Sequence, residues 1–323
     1  MNNQATIGIL DQFQTDLMDS WRRLPNRGFF FALLAAWLLL FQLLGNPLMG
    51  FIHTPSLYAW MYNAYNSPNT SGDDAIGNFV PFLVLGLLWW KRGELLALPL
   101  KMWIPGLLVL IAAMVLHVAG YVLQQPRLSI IALFAGIYGL AGLAWGREWL
   151  RNTIFPFFLL AFCIPLGVQA DIITFPLRLL VCRLVEVISH SVLAIDVVRR
   201  GTELSDPSGA YQYDVVAACS GIRSLFAIFL LNTVYGFVMF RPYWKRLVMM
   251  ALALPFAVLG NLIRLLCIII AAEIGGKGWG DYVHEGGPFG IISLLPYIPA
   301  IVGVLAVGRF LERGETPAGK ARP

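Results

Sequence analysis

Three side chains with complementary chemistry stand in or beside long apolar segments of this chain. Cys219 places a thiol just before one apolar run, Arg264 places a guanidinium inside a second run, and His284 places an imidazole shortly before a third. A nucleophile, an anion stabiliser and an acid/base group are the parts that acyl transfer from a peptide bond requires. Because the three residues are far apart in sequence, the fold has to bring them together.

The position of Cys219 favours its thiolate form. The residue follows the polar, turn-rich segment 199–214 and precedes an apolar run, so a helix is expected to begin there at the membrane surface. Helix N-terminal amides and nearby positive charge both lower the pKa of a thiol. Arg223 follows one turn later on the same helical face, and Ser220 with Gly221 allows close approach of the backbone. A purely structural cysteine is the alternative interpretation.

Arg264 is expected about 26 Å along its helix from the cytoplasmic end, near the outer leaflet. A lone arginine at this depth could extend to the lipid headgroups. Asn261, however, lies one turn earlier on the same face, and two polar residues inside a span are typical of a protein interior or a water-filled cavity. His284 alone could be an incidental loop residue; it becomes a candidate because the topology puts it on the same side as Cys219.

Composition indicates an integral membrane protein surrounded by lipids. The 323 residues are 58% hydrophobic and only 13% charged, and several apolar runs exceed the roughly 17–20 residues that span a bilayer. The net charge of +5 does not indicate nucleic-acid binding, because Lys and Arg occupy mostly short loops between apolar runs. The four cysteines have no metal-ligand spacing and no HExxH motif occurs, so we expect neither a metal nor another cofactor.

Hydropathy and flanking charge predict an all-α membrane protein, a polytopic bundle of about eight transmembrane helices with both termini cytoplasmic. No repeat, linker or second soluble domain is evident, so we expect a single integral membrane domain over 1–323. The predicted spans are 28–45, 76–90, 103–123, 129–146, 152–169, 220–240, 247–272 and 287–308.

The segment 171–198 is apolar enough to be taken for a span, yet six ionisable residues fall within about 140° of one helical face. Such a helix is better placed in the membrane interface than across the hydrocarbon. The basic loop 241–246 agrees, because it puts the start of span 220–240 outside, where the fifth span also ends. Two crossings would also satisfy this topology, but we favour one interfacial helix. The six residues are Asp171, Arg178, Arg183, Glu186, His190 and Asp196.

A small extracytoplasmic hairpin is expected after this helix. Residues 197–204 and 210–216 alternate loosely between apolar and polar side chains, and the turn-forming cluster 205–209 separates them. The hairpin would lead directly into Cys219.

With these residues in place, the sequence resembles the exosortase/archaeosortase family of multispanning transpeptidases. The resemblance rests on the eight residues 218–225 (Ala-Cys-Ser-Gly-Ile-Arg-Ser-Leu), then 261–264 (Asn-Leu-Ile-Arg), then His284, within a motif-bearing core at about 200–290. It implies that Cys219 is the nucleophile, Arg264 the stabiliser of the transition state or thiolate, and His284 the acid/base. Archaeosortases carry arginine where this chain has His284, so the bacterial exosortases fit better.

The resemblance also implies a substrate class and a location. The partners would be membrane-anchored secreted proteins with a three-part C-terminal tail: a motif such as Pro-Glu-Pro, one transmembrane helix and a basic cluster. The enzyme would lie in the bacterial inner membrane with its active site facing the extracytoplasmic side. An acyl-enzyme thioester on Cys219 would pass to an unknown acceptor nucleophile.

Other residues are expected to support this chemistry. Arg223, Asn261 and Ser220 are the candidates nearest to the three principal residues. One of three carboxylates near the site could orient His284. These carboxylates are Asp214, Asp281 and Glu285.

Two alternative functions remain open from the residues. An intramembrane serine protease would use Ser220 with a histidine. A lipid-linked glycan transporter or polymer-export subunit would use Arg264 and Arg223 to bind phosphate headgroups.

Overall fold

The computed structural model describes residues 3–48, 53–66, 74–166, 171–215, 221–240, 242–285 and 298–313. Within these ranges the chain forms thirteen α-helices and one small β-sheet. The helices are α1 (Asn3–Arg23), α2 (Arg27–Leu44), α3 (Leu57–Asn66), α4 (Val80–Trp90), α5 (Arg92–Ala97), α6 (Gly106–Val122), α7 (Pro126–Trp145), α8 (Arg147–Leu159), α9 (Asp171–Ser191), α10 (Gly221–Met239), α11 (Tyr243–Gly275), α12 (Lys277–Glu285) and α13 (Ile298–Arg313).

The helices group into two compact units. The first unit comprises Met1–Ser67 with Asp74–Pro165 and contains α1 to α8. The second comprises Pro68–Asp73 with Leu166–Pro323 and contains α9, the sheet and α10 to α13. All candidate site residues belong to the second unit by sequence.

Each predicted span contains a helix within the described residues, whereas residues 167–169, 220 and 287–297 of these spans lie outside them. Among the described residues, α2, α7 and α11 are long and apolar enough to cross a membrane. Three shorter apolar helices are α4, α6 and the part of α10 at Phe226–Met239. A membrane crossing takes roughly 17–20 residues, so the three long helices support an all-helical membrane protein. The number of eight spans stays a prediction.

Close packing of α6 against α7 organises the first unit. Gly106, the first residue of α6, lies against the backbone of Leu143, and Gly139 of α7 lies against the backbone of Leu110. Glycine allows this separation because it carries no Cβ. The same helix pair buries His117, whose Nδ1 atom lies 3.1 Å from the Ser129 hydroxyl oxygen.

Helix α9 departs from the predicted interfacial helix in two respects. It ends at Ser191, so Asp196 lies outside it and instead meets His190, with 3.1 Å between Nδ1 and Oδ1. Arg178 does not lie on an exposed polar face with Arg183, because it is only 5% exposed. The buried residues recur every three or four positions, and Arg178 falls in the middle of their stripe. They are Thr174, Arg178, Val181, Cys182, Val185 and Ser189.

The predicted hairpin exists, with one strand more than expected. Strands β1 (Val198–Arg200), β2 (Glu203–Ser205) and β3 (Gln212–Asp214) form an antiparallel sheet in the order β1-β2-β3. The expected strand 197–204 is broken because the chain turns at Gly201, whose φ of 68° is in the left-handed region. Leu204 of β2 pairs with Tyr213 of β3.

A hydrophobic core joins the sheet, α9 and the second half of α11. It fixes β3 relative to the two helices, because apolar side chains from all three elements meet in one buried cluster. Its members include Val181, Cys182 and Val185 of α9, Leu204, Tyr211, Tyr213 and Val215 of the sheet region, and Leu265, Ile268, Ile269 and Ala272 of α11.

The α6–α7 contact predicts that Gly106→Ala destabilises the protein. The added methyl carbon would lie 2.6 Å from the Leu143 backbone nitrogen, and overpacking of this kind costs about 1–3 kcal/mol. The thermal unfolding midpoint in detergent, followed by tryptophan fluorescence, should fall. The matched control is Gly86→Ala in α4, where nothing lies within 4 Å of the added carbon. Equal midpoints for both variants would refute this close packing.

Candidate active site

Arg264 and His284 are brought together by the way α12 folds back along α11. Nη2 of Arg264 donates a hydrogen bond to the main-chain carbonyl oxygen of His284 at 3.4 Å. The chain reverses at Gly276, which has a φ of 74° and separates the two helices. The guanidinium therefore anchors the end of α12 through its backbone.

His284 lies in the last turn of a helix, which corrects the prediction of a Gly-rich loop. Helix α12 contains Gly278 and Gly280, and each glycine disfavours a helix by about 1 kcal/mol relative to alanine. Packing against α11 outweighs this cost. Gly280 is buried against the Ala272 methyl group and the Tyr213 hydroxyl, at a position where a side chain would not fit.

Tyr213 of β3 is the link between the sheet and α12. Its single hydroxyl proton is shared between two acceptors, the main-chain carbonyl of Lys277 at 3.4 Å and the Asp281 carboxylate. Its ring centroid lies 6.4 Å from that of His284, with 32° between the planes. Burial, and then the charge of Asp281, raises the pKa of Tyr213 to about 12. The phenol is therefore neutral at physiological pH and retains the proton that it donates.

The segment that contains Cys219 follows Tyr213 closely in the sequence. Cys219 and Ser220 lie outside the described residues, as does the side chain of Arg223 in the first turn of α10. Tyr213 precedes Cys219 by only six residues.

The sequence model of the transmembrane exosortase family matches residues 66–298. This match covers more than two thirds of the chain and includes all three principal residues.

The chain belongs to the transmembrane exosortase family.

Members of this family are membrane enzymes of protein sorting, and they generally depend on a cysteine. No curated protein and no solved structure matches the chain. Family membership therefore supports a multi-pass membrane protein of this enzyme class.

Asn261 of the exosortase lies in α11, one turn before Arg264, and is only 5% exposed. This burial agrees with the expectation that the two polar residues face the protein interior. Arg178 of α9 lines the same small cavity as Asn261. A buried guanidinium is costly unless it has a specific role, so Arg178 joins the candidate residues.

Sequence reasoning missed Tyr213 and Arg178 as contributors to the exosortase site. The alternation of Tyr211, Tyr213 and Val215 did carry the signal that Tyr213 faces inward. The spacing of Arg178 from Val181, Cys182 and Val185 likewise placed it on the same helical face as these apolar residues. Neither pattern reveals which helix packs against the residue. Asp281 was one of three carboxylates considered for orienting His284, and its described hydrogen bond is to Tyr213.

The Tyr213–Gly280 contact predicts a coupled pair of substitutions. Gly280→Ala should lower the unfolding midpoint, because its methyl group would overlap the Tyr213 hydroxyl, at a cost of about 1–3 kcal/mol. Tyr213→Phe removes that hydroxyl, so Gly280→Ala should cost less in the Tyr213→Phe background. Thermal unfolding of the two single variants and the double variant measures the coupling.

Gly278→Ala is the matched control in the same helix, since nothing lies within 4 Å of its added carbon. It should leave the midpoint unchanged or raise it slightly, because alanine favours the helix. Strict additivity of Gly280→Ala and Tyr213→Phe would contradict the contact.

Proposed function

We propose that this exosortase is a membrane-embedded cysteine transpeptidase that cleaves the C-terminal sorting tail of secreted proteins. The observation that carries the proposal is the contact between the Arg264 guanidinium and the backbone of His284. It joins two of the three residues singled out for acyl transfer, although they come from different helices. Family membership supports a cysteine-dependent enzyme of protein sorting.

In the proposed mechanism, the imidazole of His284 takes the proton of the Cys219 thiol. The thiolate attacks the carbonyl carbon of the scissile peptide bond, and the negative charge moves to the carbonyl oxygen. As the C–N bond breaks, the imidazolium returns its proton to the leaving amine, and a thioester remains on Cys219. An acceptor nucleophile then attacks the thioester, its proton passes to His284, and the thiol is restored.

Arg264 is proposed to stabilise the oxyanion of this reaction. A guanidinium carries five N–H donors, so Arg264 can hold the His284 carbonyl and bind a second oxygen at the same time. Charge-assisted hydrogen bonds are stronger than neutral ones. A fixed donor aimed at a developing oxyanion contributes about 10²–10³-fold in rate.

The proposed substrate is a secreted protein whose tail has a Pro-Glu-Pro-like motif, one transmembrane helix and a basic cluster. The enzyme is proposed to lie in the bacterial inner membrane with both termini cytoplasmic and the site on the extracytoplasmic side. This orientation rests on the basic residues of the loop 241–246, which favour the cytoplasmic side. The motif of a membrane-anchored substrate would then meet Cys219 at the membrane surface.

Replacement of the candidate nucleophiles tests the proposal. Co-expression with a reporter that carries the three-part tail should give processed reporter for the wild-type enzyme. Cys219→Ala should reduce processing at least about 10³-fold, because no thioester can form. Ser220→Ala should retain processing, which distinguishes the cysteine mechanism from a serine protease. Intact mass of the reporter measures both the cleavage site and any attached acceptor.

Full processing by Cys219→Ala would contradict the proposal, and loss of processing with Ser220→Ala alone would favour the serine protease. A membrane-impermeant thiol reagent added outside should inhibit the wild-type enzyme. Inhibition is expected because the proposed thiol faces the extracytoplasmic side; a transporter that works through Arg264 and Arg223 would remain active.

A further inference from the structure

A small cavity between α9 and α11 is the strongest feature that the proposed mechanism does not use. It has a volume of about 20 Å³, so it can hold no more than a small polar group. Apolar side chains form most of its wall, and Arg178 and Asn261 also line it. The apolar wall residues are Leu177, Val181, Ala257 and Val258.

The polar part of the wall offers both a donor and an acceptor. Arg178 donates from Nη2 to the Thr174 hydroxyl at 3.5 Å, and its five N–H donors allow it to bind a ligand oxygen as well. The Oδ1 atom of Asn261 is buried and accepts no hydrogen bond from any residue in the described part of the chain. A buried acceptor without a donor is unfavourable, so a ligand that brings an N–H or O–H group would relieve this cost.

A peptide group has the matching pair of atoms. Its carbonyl oxygen can accept from Arg178 while its N–H donates to Asn261 Oδ1. A carboxylate, by contrast, supplies no donor for Asn261 Oδ1. A peptide group needs such hydrogen-bond partners most inside a membrane, where no water is present to bond its N–H and carbonyl groups.

We propose that this cavity binds a main-chain peptide group of the substrate on the C-terminal side of the scissile bond. The inference rests on the proposed function, which places the scissile bond at Arg264. Asn261 precedes Arg264 by three residues, about 4.5 Å along the axis of α11. An extended peptide advances about 3.3 Å per residue, so the bound peptide group belongs one or two residues from the scissile bond.

The position of Asn261 along α11 also fits the chemistry of the substrate tail. Asn261 is nearer than Arg264 to the end of α11 that is proposed to be cytoplasmic, so it is deeper in the membrane. The substrate's transmembrane helix begins just after the cleaved motif, and the first four N–H groups of any helix have no partner within it. Asn261 supplies an acceptor for one of them, and Arg178 supplies a donor for the preceding carbonyl oxygen.

Photocrosslinking tests binding at this cavity without requiring catalysis. The probe is the reporter with the three-part tail, co-expressed with the Cys219→Ala enzyme. A leucine-sized diazirine residue (photo-leucine) at position 177, which lines the cavity, should crosslink to the residues just after the cleaved motif. The matched control is position 180 of α9, whose leucine is 45% exposed and does not line the cavity. Equal crosslinking at both positions, or none at position 177, would overturn the proposal.

Kinetics with the same reporter and purified enzyme provide a second readout. Arg178→Met and Asn261→Leu should each raise KM about tenfold, equivalent to about 1.4 kcal/mol, with a smaller effect on kcat. Ser189→Ala, a buried polar residue of α9 far along the helix from Arg178, should leave KM unchanged. An unchanged KM in both cavity variants, with an unfolding midpoint like that of the wild type, would also overturn the proposal.

A changed reporter distinguishes a peptide group from a side-chain carboxylate. When the glutamate of the reporter motif is replaced by glutamine, Arg178→Met should still raise KM, because the main chain is unaltered. Loss of the KM effect with the glutamine reporter would mean that the cavity binds a carboxylate and would refute the inference. Failure of this subsite leaves Cys219-dependent cleavage intact, whereas cleavage by Cys219→Ala would refute the proposed function itself.

Discussion

The return of α12 along the end of α11 is the constraint on which the rest of the site depends. It gives the Arg264 guanidinium a fixed partner, the main-chain carbonyl of His284. Because this partner is backbone, the guanidinium can position the helix without using the imidazole. Gly276 makes the reversal possible, and Gly280 allows the close contact that keeps α12 in place.

Three polar residues of the second unit lie in mostly apolar surroundings. Arg178 and Asn261 are buried between apolar helices, and Arg264 is half-buried one turn further along α11. Ionisable and amide groups that are buried in an apolar medium are usually functional. Asn261 and Arg264 lie one turn apart on α11, and Arg178 of α9 lines the same cavity as Asn261.

Local patterns predicted much of the fold but little of its tertiary contacts. Hydropathy identified the long helices, because an apolar run is sufficient to define them, and turn residues 205–209 identified the β2–β3 hairpin. The helix at His284 was missed, since Gly278 and Gly280 favour a loop unless α11 and Tyr213 pack against them. Arg178 was assigned to a polar face because charge periodicity alone does not reveal which face another helix covers. The pairing of Arg264 with His284 was expected from topology, and the resemblance to exosortases had named both residues.

The reactivity of Cys219 as a function of pH tests the central claim most directly, because it reports the electrostatic surroundings of the sulfur. The measurement is the rate of alkylation by iodoacetamide in the full chain reconstituted in lipid nanodiscs, read from the mass of the peptide that contains Cys219. We predict an apparent pKa clearly below the ordinary thiol value of about 8.5. We also predict that Arg264→Met raises it, because a nearby cation favours the thiolate. An ordinary pKa in the wild-type protein, unchanged by Arg264→Met, would contradict the claim that these side chains share one site.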